Sequence, residues 1–140
     1  MKRSEALAPL SREHHQALFM AMKLKRAESL EPRDDAIAFF AAERSHFAAE
    51  EDILLPGWLA KAPAGGEAMA RRVVDEHRAL TVSAQRLHDD AVTAADLREL
   101  GTILERHVRY EERELFPAIE RDLSDEDLRA LGEALRPGGS

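Results

Sequence analysis

His46-Phe-Ala-Ala-Glu50-Glu51-Asp-Ile-Leu-Leu-Pro56 and His107-Val-Arg-Tyr-Glu111-Glu112-Arg-Glu-Leu-Phe-Pro117 are one pattern written twice, 61 residues apart. Each copy has a histidine, a Glu pair at +4 and +5, a leucine at +8 and a proline at +10. Upstream of each lies a second short match, His15-Gln-Ala-Leu18 and His77-Arg-Ala-Leu80, offset by 62. The chain therefore reads as two copies of one helical hairpin, and the duplicated residues are of the types that ligate metals.

The surrounding sequence is helical in character. Alanine, leucine, glutamate and arginine dominate, and no run alternates as a strand does. The predicted helices run from about Ser11 to Ser29, from the Glu31-Pro32 break to about Leu55, from the Pro63-Ala-Gly65-Gly66 loop to about Ala91, and from Thr93 to about Leu115. Pro56-Gly57 is expected to end or kink the second helix, and Pro117 matches it in the fourth. Thr93 with Asp96 has the form of a capping box. Ser124 caps a short final helix, about 124–135, and residues 136–140 read as a frayed tail. Four long helices with short connections predict an all-α, up-down-up-down four-helix bundle. It forms a single domain over residues 1–140, with its core at 11–123.

Composition narrows the chemistry. A domain of 140 residues buries roughly 70% of its unfolded surface and can do without a disulfide. With no cysteine, thiolate zinc sites, iron–sulfur clusters and thiol nucleophiles are excluded. The 20 basic and 27 acidic residues leave a net charge of −7, so no nucleic-acid partner is expected. Neither a signal-like apolar run nor a stretch of ~20 apolar residues is present, so a cytoplasmic protein without a membrane partner is expected.

The apolar stripes indicate which polar residues face inward. His15, Leu18, Phe19 and Met22 follow i, i+3, i+4, i+7 on the first helix. Phe39, His46, Glu50 and Ile53 define the second, Val73, His77, Leu80, Ala84 and Leu87 the third, and Leu97, Leu100, Leu104, His107, Glu111 and Leu115 the fourth. On this reading His15, His46, His77, His107, Glu50 and Glu111 meet inside the bundle. Burying an unpaired carboxylate costs several kcal/mol, and no lysine or arginine shares those stripes at that level. Divalent cations satisfy the whole set. Residues at i and i+4 differ by about 40° around a helix, so His46 with Glu50 and His107 with Glu111 can reach one site. Glu51 and Glu112 turn about 140° from their histidines and read as a solvated or arginine-paired flank. Two carboxylates able to bridge and four imidazoles suit two ions. Nitrogen and oxygen donors without thiolate suit iron, manganese or zinc, and a paired carboxylate centre in a four-helix bundle is typically iron or manganese.

The ferritin-like arrangement needs Glu-x-x-His twice. Glu43-Arg-Ser-His46 supplies it once, but Leu104 stands before His107. His14 turns about 100° from His15 and reads as a helix-surface residue or one that supports a ligand from behind. His88, roughly 16 Å along the helix from His77, cannot share the site. Tyr110 reads as a packing residue, Phe19 as an apolar wall, and Thr81 as a hydrogen-bond donor to bound solvent.

The duplicated His-x3-Glu-Glu-x3-Leu-x-Pro motif resembles the hemerythrin-like family, the HHE cation-binding domain, from about His15 to Pro117. The resemblance implies a bundle around two iron ions joined by an oxo or hydroxo group, with manganese or zinc as lesser alternatives. It implies His15, His46, Glu50, His77, His107 and Glu111 as ligands, with the two glutamates bridging. Oxygen-carrying hemerythrins have a histidine where this chain has Thr81, and they take the last carboxylate at i+5, which leaves Glu112 as an alternative to Glu111. The small partner implied is dioxygen, nitric oxide or peroxide. The reading is a binding, sensing or iron-handling protein, with a peroxidase-like, catalase-like or nitric-oxide-handling di-iron enzyme as the alternative.

Overall fold

The computed structural model describes residues 2–62 and 64–136. Pro63, at the start of the mid-chain loop, and residues 137–140 of the predicted tail lie outside them. Among the described residues every regular element is helical. They are α1 (Ala8–Lys25), α2 (Arg33–Ala49), α3 (Leu55–Leu59), α4 (Gly66–Gln85), α5 (Ala94–Tyr110), α6 (Phe116–Asp122) and α7 (Asp125–Leu135). A π turn over Glu50–Leu54 fuses α2 to α3, and a second over Glu111–Leu115 fuses α5 to α6. A 3-10 turn, Arg86–His88, finishes α4.

The ends follow local chemistry. Pro9 sits in the first turn of α1, where its missing N–H costs no hydrogen bond, and the helix starts at Ala8 rather than Ser11. The Thr93 hydroxyl accepts from the Asp96 N–H, while the Asp96 carboxylate accepts from the Thr93 N–H, so the predicted capping box caps α5. Ser124 caps α7 with a single bond, its hydroxyl accepting from the Asp127 N–H.

The prolines do not end their helices. In an α-helix Pro56 would lack its N–H and crowd the carbonyl of residue 52. Instead the backbone widens just before it: the Leu55 N–H donates to the Glu50 carbonyl, five residues back. The Phe116 N–H donates to Glu111 in the same way ahead of Pro117. Each helix therefore runs through its proline, and of the expected end or kink at Pro56-Gly57 the end does not occur: the backbone widens into a π turn just before it.

Contacts join α1 to α2 and α5, and α4 to α2 and α5, closing a ring of four helices. The α1–α5 approach is the closest. A Cβ at Gly101 would lie 2.7 Å from the Ala21 carbonyl oxygen and 2.8 Å from the Lys25 nitrogen. That intimacy decides which face of α1 turns inward. Leu10, His14, Ala17, Ala21 and Leu24 are buried, with alanine where the helices nearly touch. The bulky Phe19 and Met22, predicted to be inside, are 62% and 42% exposed.

Two apolar clusters fill the bundle. One gathers Leu10, Leu54, Trp58, Val73, Leu115, Phe116 and α7's Leu128 and Leu131. The other gathers Ala17, Phe47, Leu80, Leu100, Leu104 and Val108. Along each helix the interior histidine or glutamate falls between a residue of one cluster and a residue of the other, as His77 does between Val73 and Leu80. A polar layer is thus sealed above and below by hydrocarbon.

Candidate metal centre

That layer holds His14, His46, Glu50, His77, His107 and Glu111, each at most 3% exposed. Their donor atoms form two overlapping sets, within each of which all lie inside 4.8 Å of one another. One set is His14, His46, Glu50 and Glu111; the other is His77, His107, Glu50 and Glu111. Each pair of histidines has its own set, and both glutamates belong to both.

Five of the six residues singled out from sequence come together here; His15 does not. It is exposed on the outer face of α1 beside Phe19 and Met22, and His14 takes the inward place. The literal match His-x-Ala-Leu had aligned His15 with His77. The structural correspondence is instead Glu13-His14 with Glu76-His77, an offset of 63. That acidic residue before each histidine was the available signal. Glu76 is the counterpart of Glu13.

The outer nitrogens show what the acidic residues do. Nδ1 of His46 lies 2.9 Å from Glu13 on α1, and Nδ1 of His77 lies 2.7 Å from Glu51 at the end of α2. Nδ1 of His107 lies 2.6 Å from Glu76 on α4, and Nδ1 of His14 lies 2.6 Å from Glu112 at the end of α5. Each helix thus clasps the imidazole of the next, and the fourth returns to the first. Glu51 and Glu112 do turn away from their own histidines, as the helix angle requires, and that aims them at a neighbour's. Glu112 also pairs with Arg3 at 3.2 Å, so part of its predicted arginine flank is present. A carboxylate on Nδ1–H fixes the tautomer and aims Nε2 at the centre.

The inner atoms fit a cation. Nε2 of His46, His77 and His107, both carboxylate oxygens of Glu50 and Oε2 of Glu111 are buried without a hydrogen-bond partner among the described residues. His46 and His107 Nε2 lie 3.2 Å from Glu50 and Glu111, and His77 Nε2 lies 2.9 Å from Glu50. These are contact distances, but the N–H directions miss the oxygens. Lone pairs that avoid one another's hydrogen bonds while converging are the arrangement a divalent ion satisfies.

Without an ion, protons balance the carboxylates. Burial disfavours a charged imidazole, yet the surrounding carboxylates outweigh it, lifting His14 and His77 to about 9, His107 to about 10 and His46 to about 11. Burial likewise opposes ionisation of Glu111, but His107, His14 and His77 hold it well below the usual carboxylate range. Glu112 falls to about 2 because its bonds from His14 and Ser11 overcome its own burial.

The two halves differ at one place. Glu43, 7% exposed on α2 one turn before His46, makes no hydrogen bond among the described residues. Its counterpart in the second half is the fully buried Leu104. Burial lifts the Glu43 carboxyl to about 7, opposed by the charge on His46 and helped by Glu50.

The remaining candidates take plain roles. The Thr81 hydroxyl donates to the His77 carbonyl at 2.8 Å, closing on its own helix rather than facing the centre. His88 is exposed. Trp58 is buried and donates to Asp122 at 2.9 Å. Tyr110 packs against the core cluster, with the Arg72 guanidinium 3.7 Å above its ring.

No helix among the described residues is long and apolar enough to cross a membrane. No curated protein and no solved structure matches the sequence. One family does: the Hemerythrin HHE cation binding domain matches residues 7–119. With its buried histidine and glutamate sets held in a helical bundle, the chain belongs to the hemerythrin HHE cation-binding family.

Proposed function

We propose that this protein is a cytoplasmic di-iron protein that binds or senses a small ligand, dioxygen, nitric oxide or peroxide, or handles iron. Its four core helices would take the up-down-up-down order. The observation that carries the reading is the sharing of Glu50 and Glu111 between two otherwise separate histidine pairs. One carboxylate oxygen for each of two ions is the natural use of a glutamate that belongs to both sets. His14 and His46 would hold one ion, and His77 and His107 the other. Iron in such a place supplies reversible one-electron chemistry and affinity for small oxygen or nitrogen ligands.

The chain's own contribution is orientation and exclusion. The ring of Nδ1 bonds fixes all four imidazoles before any ion arrives. Leu80, Leu104 and Phe47 on one side and Leu54, Leu115 and Phe116 on the other keep water from the layer. Elemental analysis with optical spectra of the reduced and oxygen-exposed protein tests this. We expect two irons per chain and a charge-transfer band that returns on cycling. One ion per chain, zinc, or bleaching with loss of iron overturns it.

Glu43 favours a second reading, a di-iron redox enzyme acting on peroxide or nitric oxide. Reducing either consumes protons, and a buried carboxyl near neutrality one turn from His46 is placed to hold one. Steady-state peroxide consumption that falls at least tenfold in Glu43→Gln, with iron content unchanged, supports it. An inert parent protein removes it.

A further inference from the structure

The chain carries a net charge of −7, yet one groove of its surface is basic. Between α4 and α5, Arg72, Arg106, Arg109 and Arg113 surround Tyr110, with Glu114 the one acid in the lining. Arg106, Arg109 and Tyr110 follow i, i+3, i+4 on α5, and Arg113 joins them from the π turn that follows. All four arginines are exposed. Arg106 and Arg113 have no ion-pair partner among the described residues, while Arg72 is held over the Tyr110 ring. A solvated arginine face is ordinary on a basic protein, but here it gathers against the overall charge.

The groove also touches the polar layer. Arg72 Nε donates to Glu76 at 2.9 Å, and the other oxygen of Glu76 lies 2.6 Å from His107 Nδ1. Two hydrogen bonds therefore separate a half-exposed guanidinium from a histidine of the candidate centre. The other clasping carboxylates lack such an outlet. Glu13 and Glu51 carry no cation among the described residues, and Arg3 on Glu112 turns back to Glu120.

We infer that this arginine face docks an acidic protein that carries single electrons, placing its redox group beside the Arg72–Glu76–His107 chain. The inference rests on the redox-active metal proposed above. Iron held by the histidine pairs with Glu50 and Glu111 would accept one electron per encounter from the reduced carrier, ferric becoming ferrous, with no bond formed or broken. Screening confines the attraction to about 8 Å at physiological salt, so a compact acidic patch can meet the groove despite the net charge. An extended polyanion would overrun it onto acidic surface.

The test uses an acidic flavodoxin as the probe. Its affinity is measured against the protein as purified, and again after zinc replaces the native ion, at low and physiological salt. Stopped-flow reduction of the oxidised protein follows, with dithionite as the small reductant. R106E/R113E is compared with R121E/R129E, which changes net charge equally at exposed sites away from the groove. We expect the groove variant to lose about tenfold or more in affinity and in flavodoxin-driven rate. The control should change less than twofold, and dithionite should reduce all forms alike. Equal losses in both variants, no loss, or a parent that binds nucleic acid or anionic vesicles instead of flavodoxin overturns the inference. Docking by a protein that contains no iron as purified would leave the surface standing and the metal reading overturned.

Discussion

Replacing His14 with alanine tests the register of α1 directly. The imidazole is 1% exposed and bonded on both nitrogens, to Glu112 at 2.6 Å and to Glu111 at 2.8 Å. Its ring also stacks on Phe116, with centroids 5.2 Å apart. Removing it leaves Glu111 buried beside one fewer cation or, in the loaded protein, removes half the imidazoles from one set. Breaking a buried, hydrogen-bonded charge pair costs about 3–5 kcal/mol. At roughly 3 °C per kcal/mol for a domain of this size, the metal-free protein should melt about 10–15 °C lower. His15→Ala, on the exposed face, should stay within about 0.5 kcal/mol. Thermal melts with and without chelator, with metal content read on the same samples, make the comparison. A His15→Ala protein that loses metal while His14→Ala keeps its full complement would refute the assignment and the helix register with it.

Four further outcomes follow from the same geometry. The four histidines have folded-state pKa values above their ordinary 6.5. Their contribution to the metal-free protein is therefore full below about pH 6.5 and declines as pH rises. It is lost by about 9 for His14 and His77 and about 11 for His46, so urea midpoints should fall across that window, and a flat profile would contradict the charged layer. Because ions must displace those protons, loading in weakly buffered solution near neutrality should acidify the sample, which a pH electrode reads. Glu43→Leu should stabilise the metal-free protein by about 1–3 kcal/mol, with the gain growing between about pH 4.5 and 7 as the parent carboxyl is asked to ionise; denaturant titration at pH 5 and 8 decides it. Gly101→Ala should destabilise by about 1–3 kcal/mol, because its methyl meets the α1 backbone rather than a yielding side chain; an unchanged melting curve would mean that α1 and α5 are further apart.

Much of the centre was legible because two of its helices carry histidine, the Glu pair, leucine and proline at the same spacing. His46 with Glu50 and His107 with Glu111 needed only the i+4 rule and the repeat. The first helix misled for a physical reason. Apolar bulk usually marks the inward face, but α1 lies so close to Gly101 that only alanine fits there, and Phe19 and Met22 were pushed outside. A stripe of Ala17 and Ala21 carries little hydrophobic signal, so a chance Ala-Leu match prevailed. The roles of Glu51 and Glu112 were missed because a single-helix angle says where a side chain points and not which neighbour waits there. The π turns were hidden for a related reason: proline signals a missing donor, while the decision to stop or to widen depends on packing on both sides of it.

The clasping ring is built from only two kinds of joint, each used twice. Glu13 to His46 repeats as Glu76 to His107, and Glu51 to His77 repeats as Glu112 to His14. The first joint lies within a hairpin and the second passes between hairpins. A single hairpin of about sixty residues, meeting a twin, would therefore close the same circle and assemble the same pocket. Joined in one chain, the halves need not match everywhere, as Glu43 in the first and Leu104 in the second illustrate.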